Sequence, residues 1–194
     1  MRKRGTVFLL GALCLVAASA APALAQSRQY VQGQVIGIGG RRAGLNQPFS
    51  LTVNRYTSAD DVQQLNQALR SGVQDELLRV LSRLDAGRVS IGNNVGVKAN
   101  VVIATPTAEG GTKLTVIYER NVAIFELRYG TRSADYRFGY AEIYLDARGR
   151  GQGTFIPAAK VKLEGDNNWV VEDFGELPAR LMGLRSTGRV GGVR

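Results

Sequence analysis

Residues 136–163 read YRFGYAEIYLDARGRGQGTFIPAAKVKL. Side chains alternate across a strand, so a period of two puts Phe138, Tyr140, Glu142, Tyr144 and Asp146 on one face of a strand over Tyr136–Asp146. Ala147-Arg148-Gly149 supplies turn residues, and Gly153–Leu163 reads as a second strand. Two strands joined this closely form an antiparallel hairpin. The run Gly149-Arg150-Gly151-Gln152-Gly153 has the composition of a phosphate-cradling loop. Such a loop needs a helix after the glycines, whereas β-like Thr154-Phe155-Ile156-Pro157 follows here. A glycine-rich hairpin connection with a bulge fits better.

The pattern extends in both directions. Upstream, Arg88–Ile91, Val97–Ala104, Lys113–Glu119 and Val122–Tyr129 read as strands, with turns at Glu109-Gly110-Gly111 and Arg120-Asn121. Earlier still, Tyr30–Ile38 and Phe49–Tyr56 read as strands separated by a glycine-rich loop. Downstream, Asn168–Phe174 carries Trp169, Val170 and Val171, and Leu181–Leu184 forms a short apolar piece. One stretch has helical spacing instead. Ser58 is placed to cap it, Asp60 and Asp61 fall in its first turn, and Val62, Leu65 and Leu69 recur on one side. Ser71-Gly72 interrupts the pattern, Leu77, Leu78, Leu81 and Leu84 resume it, and Gly87 sits where a C-terminal cap belongs. The spacing predicts two helices over 58–70 and 73–85. Their polar side mixes Gln, Asn, Asp and Arg, which suits packing on a sheet rather than on a membrane. The expected fold is α+β: a curled antiparallel sheet of about six to eight strands, open to partial closure as a barrel, with the helical hairpin packed on it.

The chain has 194 residues, no His and one Cys. That residue, Cys14, lies in an apolar run after Arg2-Lys3-Arg4, and Ala23-Leu24-Ala25 ends the run as a small-x-small cleavage site. Residues 1–25 therefore read as a signal peptide, 26–185 as a single α+β domain and 186–194 as a flexible basic tail. The expected location is the periplasm or the medium, with no stable membrane insertion after cleavage. A mature chain of 169 residues then has neither His nor Cys. This excludes a Ser-His-Asp triad, a cysteine nucleophile, a disulfide framework and any zinc site built on His or Cys. Cleavage also lowers the formal charge from +9 to +6. The arginines are scattered along the sequence and no nucleic-acid-binding motif appears, so nucleic acid is not an expected partner.

Several segments follow one another in a particular order. They are Ser58-Ala59-Asp60-Asp61, Arg132-Ser133-Ala134-Asp135-Tyr136, and Leu145-Asp146 with the glycine run after it. Pro157-Ala158-Ala159-Lys160-Val161 and Val171-Glu172-Asp173-Phe174 with Pro178-Ala179-Arg180-Leu181 complete the series. Taken together they resemble a group of uncharacterised secreted proteins of environmental bacteria, over roughly residues 30–184. The resemblance implies export and a single domain. It brings no activity, substrate or catalytic residue.

Without His, acid–base chemistry falls to carboxylates, Lys or Tyr. Glu126 and Glu142 would be neighbours among aromatic rings if their strands pair, as a glycosidase-like hydrolase requires. Ordinary cross-strand pairing with Arg120, Arg128 or Arg137 is the simpler reading. Arg132 and Asp135 suit either a small anion site or a hydrogen-bonded turn. Tyr118, Tyr129, Tyr136, Tyr140 and Tyr144 either pack the core or line a pocket. Glu164-Gly165-Asp166-Asn167-Asn168 is rich in oxygen ligands but lacks calcium-loop spacing, so neither metal nor cofactor is expected. The candidate ligand-binding residues are Glu126, Tyr140, Glu142, Tyr144, Arg132 and Asp135, and no catalytic residue is assigned. The expected function is non-enzymatic binding of an envelope protein or small ligand. A carboxylate-dependent hydrolase and a carrier of an apolar ligand are the alternatives.

Overall fold

Alternation of apolar and polar residues produces most of the strands. In Asn46–Val53 (β2), Phe49, Leu51 and Val53 are buried, and in Gln29–Ile36 (β1), Val31 and Val35 are. The computed structural model describes residues 28–38, 43–120, 135–165, 168–173 and 179–188. After β2 come two helices, Ala59–Arg70 (α1) and Gln74–Leu81 (α2). The remaining strands are Gly87–Ile91 (β3), Val97–Ala99 (β4), Val101–Pro106 (β5), Thr112–Glu119 (β6), Phe138–Leu145 (β7), Arg150–Glu164 (β8), Asn168–Asp173 (β9) and Ala179–Thr187 (β10). Their order in the sheet is β4-β3-β2-β1-β10-β8-β7-β6-β5, with β9 also on β8, and every pair is antiparallel. The fold is thus α+β, a curled antiparallel sheet carrying a helical hairpin, with ten strands among the described residues rather than six to eight.

The curl shows at the seam. β4 and β5 stand at opposite ends of the strand order, yet only Asn100 separates them in sequence. The single strand expected over Val97–Ala104 therefore breaks at Asn100, pairing with β3 before it and with β6 after it. Asn100 is 2% exposed. Its Nδ2 donates to the carbonyls of Leu81 (3.0 Å) and Leu84 (3.3 Å), and its Oδ1 accepts from the Glu119 amide (2.9 Å). One side chain so joins the end of α2, the seam and β6, and meets the rule that buried polar groups find partners.

Two apolar clusters occupy the two faces of the sheet. The concave interior is filled by residues such as Leu51, Leu114, Val116, Ile143, Phe155 and Leu181. There Tyr118 stacks on Phe155, ring centroids 6.5 Å apart. The outer face of β5 to β8 meets the helices through Leu65, Leu77, Leu81, Ile117, Phe138 and Ile156. Ser58 caps α1 as its position predicts, accepting the Asp61 amide at 3.1 Å. Among the described residues, no helix is long and apolar enough to cross a membrane.

Several boundaries differ from the sequence reading, most by one to three residues at a strand end. α2 ends at Leu81, and Gly87 opens β3 instead of capping a helix. β8 starts at Arg150, because Oδ1 of Asp146 accepts the amides of Arg148 and Arg150 at 2.8 Å and tightens the turn. Gly151 and Gly153 let β8 close on β7, since a Cβ there would lie 1.8 and 2.2 Å from the carbonyl oxygens of Tyr144 and Glu142. Most consequentially, residues 179–187 form a strand between β1 and β8. Ser186 and Thr187, expected in a flexible tail, pair with Val31 and Tyr30. Gln29, 3% exposed, donates from Nε2 to Ser186 Oγ at 2.8 Å. The register shift in β10 between Leu181 and Leu184 spoils the period of two, which hides this strand from pattern reading. Residues 189–194, the rest of the expected tail, and residues 1–27, with the expected signal peptide, lie outside the described residues.

β8 outruns β7, and its far half pairs with β9 as a projecting hairpin, from Ala159↔Asp173 to Glu164↔Asn168. Trp169 Nε1 anchors this ear by donating to Asn66 Oδ1 of α1 at 2.6 Å. Gln74 of α2 donates to the Val161 carbonyl (2.9 Å) and accepts its amide (3.4 Å), covering the strand edge that β7 no longer reaches.

Candidate functional site

On the outer face of β7, alternation brings Tyr140, Glu142 and Tyr144 together, as expected. The Tyr140 hydroxyl donates to Glu142 Oε2 at 2.8 Å, and the Tyr144 hydroxyl donates to Oε1. Lys113 of β6, which sequence reasoning did not select, completes the group with its Nζ 2.9 Å from Oε2. Its ammonium also lies 5.7 Å from the centroid of the Tyr144 ring. Alternation in β6 aligns Lys113 with Thr115, but only the register of β6 on β7 reveals the contact.

The protonation of the group follows from these contacts. Burial alone would raise the Glu142 pKa, but hydrogen bonds from Tyr144, Lys113 and Tyr140, with the Lys113 charge, outweigh it and hold the carboxyl below its ordinary range. Lys113 loses by burial and gains more from Glu142, so its pKa is raised. Burial, then the Glu142 carboxylate, push the Tyr140 hydroxyl up, and the hydrogen bond to Glu142 does the same for Tyr144. Near neutral pH the group is a carboxylate ringed by an ammonium and two neutral phenols.

The remaining candidates fall elsewhere. Glu126 and Arg132 lie outside the described residues, as does the expected strand Val122–Tyr129. Thr115 of β6 and Thr154 of β8 are the cross-strand neighbours of Glu142. Asp135 is exposed and lines a separate groove of about 250 Å³ with Gln74, Asp75, Arg137 and Lys160. The tyrosines divide: Tyr118, Tyr136 and Tyr140 are buried, Tyr144 is 45% exposed, and Tyr129 lies outside the described residues. Tyr144 borders an open groove of about 410 Å³ with Thr107, Glu109, Asp146, Arg150 and Gln152. The Tyr136 hydroxyl donates to Glu172 at 2.6 Å, and Lys162 lies 2.6 Å from the same carboxylate. The hydrogen bonds of Lys162 and Tyr136 pull the Glu172 carboxyl down to about 2. Asp166 and Asn167 of the oxygen-rich turn lie outside the described residues.

Comparison with family models, curated proteins and solved structures gives no match to this chain.

Proposed function

We propose that the chain is an exported bacterial envelope protein acting as a non-enzymatic binding or interaction module. The observation that carries this reading is the state of Glu142. Three donors already occupy its carboxylate, and its lowered pKa favours the charged form. A general acid needs a raised pKa, and a retaining nucleophile needs a free oxygen with a second carboxyl roughly 5–5.5 Å away. The strand positions flanking Glu142 hold threonines. An exposed tyrosine beside a fixed carboxylate and ammonium suits recognition better than turnover. The packed interior likewise favours binding on the outer surface over carriage of an apolar ligand inside. Export rests on the Arg2-Lys3-Arg4 start, the apolar run and the Ala23-Leu24-Ala25 site, with β1 beginning at Gln29 close behind it. The test is incubation of the purified mature chain with chromogenic esters and glycosides, beside cross-linking in the periplasm. The reading expects no turnover and a cross-linked partner. Turnover that disappears in Glu142→Gln would overturn it.

A further inference from the structure

Cations that are scattered in sequence converge in the folded sheet. β4, β3, β2, β1 and β10 are adjacent in that order, and β10 pairs with residues 150–155 of β8. None of these segments contains Asp or Glu. They carry Lys98, Arg88, Arg180, Arg185 and Arg150, all exposed. Carboxylates lie outside these segments, with Asp60, Asp61, Asp75 and Glu76 on the helices and Glu164, Glu172 and Asp173 on the ear. Two more stand at the edge of the wall: Glu142, opposite Thr154 and held by Lys113, and Glu109, in the groove that Arg150 lines. Asp146, at the border of this wall, is engaged by the turn amides described above.

The register aligns these side chains. Lys98 is directly opposite Arg88, Arg88 opposite Thr52 and Thr52 opposite Tyr30. A parallel row runs Ser90, Ser50, Gln32, Arg185, Arg150. Like charges directly opposite each other weaken an antiparallel pair, and this wall places them so twice. Arg88 donates to the carbonyls of Val95 and Gly96, and Lys98 to that of Ser82. Among the described residues, none of the five cations forms an ion pair with a carboxylate.

We propose that this acid-free wall binds an acidic polysaccharide. Guanidinium forks match carboxylates in bidentate geometry. Ser50, Thr52 and Gln32, interleaved in the same rows, offer both donors and acceptors to sugar hydroxyls, while Ser90, whose hydroxyl donates to the Asn94 carbonyl, offers an acceptor. The second row crosses four strand spacings, about 19 Å, enough for several sugar units. The large apolar side chains exposed on or beside this wall are Tyr30 and Met182 on its strands, Ile38 just past β1 and Val95 in the β3–β4 turn, on separate elements rather than in the apolar stripe that a membrane-binding face needs to insert. The inference names a partner class for the binding reading above and rests on it.

Affinity electrophoresis of the full mature chain tests it, in gels containing polygalacturonate, neutral dextran, duplex DNA or anionic vesicles. Polygalacturonate should retard the protein and dextran should not. Arg150→Gln with Arg185→Gln should weaken retardation about tenfold while raising the melting temperature, because a like-charge pair is relieved. Arg83→Gln with Lys160→Gln removes equal charge off the wall and should leave retardation unchanged. Equal loss in both double variants, no retardation by polygalacturonate, or stronger retardation by DNA or vesicles would overturn the inference. If polygalacturonate fails while an envelope partner still cross-links, the inference falls and the binding-module reading stands. Glu142-dependent turnover would instead remove that reading.

Discussion

Lys113 Nζ lies 2.9 Å from Glu142 Oε2, although the two residues are not opposite each other across the strands. Lys113 faces Tyr144 and Glu142 faces Thr115, so the ion pair is diagonal and runs beside the Tyr144 ring. The contact therefore depends on the β6–β7 register, and a slip of one residue would send Glu142 to the apolar side.

The lowered pKa of Glu142 sets a pH dependence. Its contribution to stability is fully present above the ordinary carboxylate range and is lost as pH falls through the lowered folded value. Glu142→Gln should cost about 1 kcal/mol at pH 7, the modest size reflecting partial exposure. Thermal melts of both proteins should converge as the pH drops below roughly 4. A difference that grows in acid would contradict the network.

Glu172 provides a second titration. The hydrogen bonds from Lys162 and Tyr136 predict a folded-state midpoint at about 2, which a carboxyl ¹³C titration by NMR reads directly. Lys162→Met should move that midpoint back toward the ordinary range. An unmoved midpoint would remove the ion pair from the account.

Asn100 holds the seam. Asn100→Ala deletes two bonds to carbonyls and leaves the Glu119 amide without its acceptor inside the protein. Urea unfolding should show a loss of about 2–4 kcal/mol, since buried groups left unpaired are costly. A loss below about 0.5 kcal/mol, the surface range, would mean that the seam does not depend on this side chain.

Trp169 is the only tryptophan of the chain, and its indole N–H donates to the 6%-exposed Asn66. Asn66→Ala should shift the fluorescence emission to the red as the ear loosens, at a cost of about 1–3 kcal/mol. Unchanged emission would show that the ear docks through its apolar contacts alone.

Periodicity carries far in this chain, but only where it is local. The alternation in Phe49–Val53 and Phe138–Leu145, the Ser58 cap and the leucines of the helical hairpin are all legible before folding. β10 is not, because the register shift after Leu181 breaks the alternation, so that Leu181–Leu184 reads as a short apolar piece and the chain from Ser186 as a basic tail. The break at Asn100 is equally hidden, because one apolar run serves two ends of the sheet. In the candidate site, Tyr140, Glu142 and Tyr144 stand at every second position and need only the period of a strand. Lys113 and the converging cations of the acid-free wall depend on which strands pair, and that information is nonlocal.

In the proposed function, Glu142 belongs to a surface that binds rather than to a pair of groups that react. The most direct measurement is release of reducing ends from envelope polysaccharide incubated with the mature chain, with Glu142 or with Gln at that position. A binding surface gives no release above buffer from either protein. Release by the wild-type chain that vanishes in Glu142→Gln would contradict it.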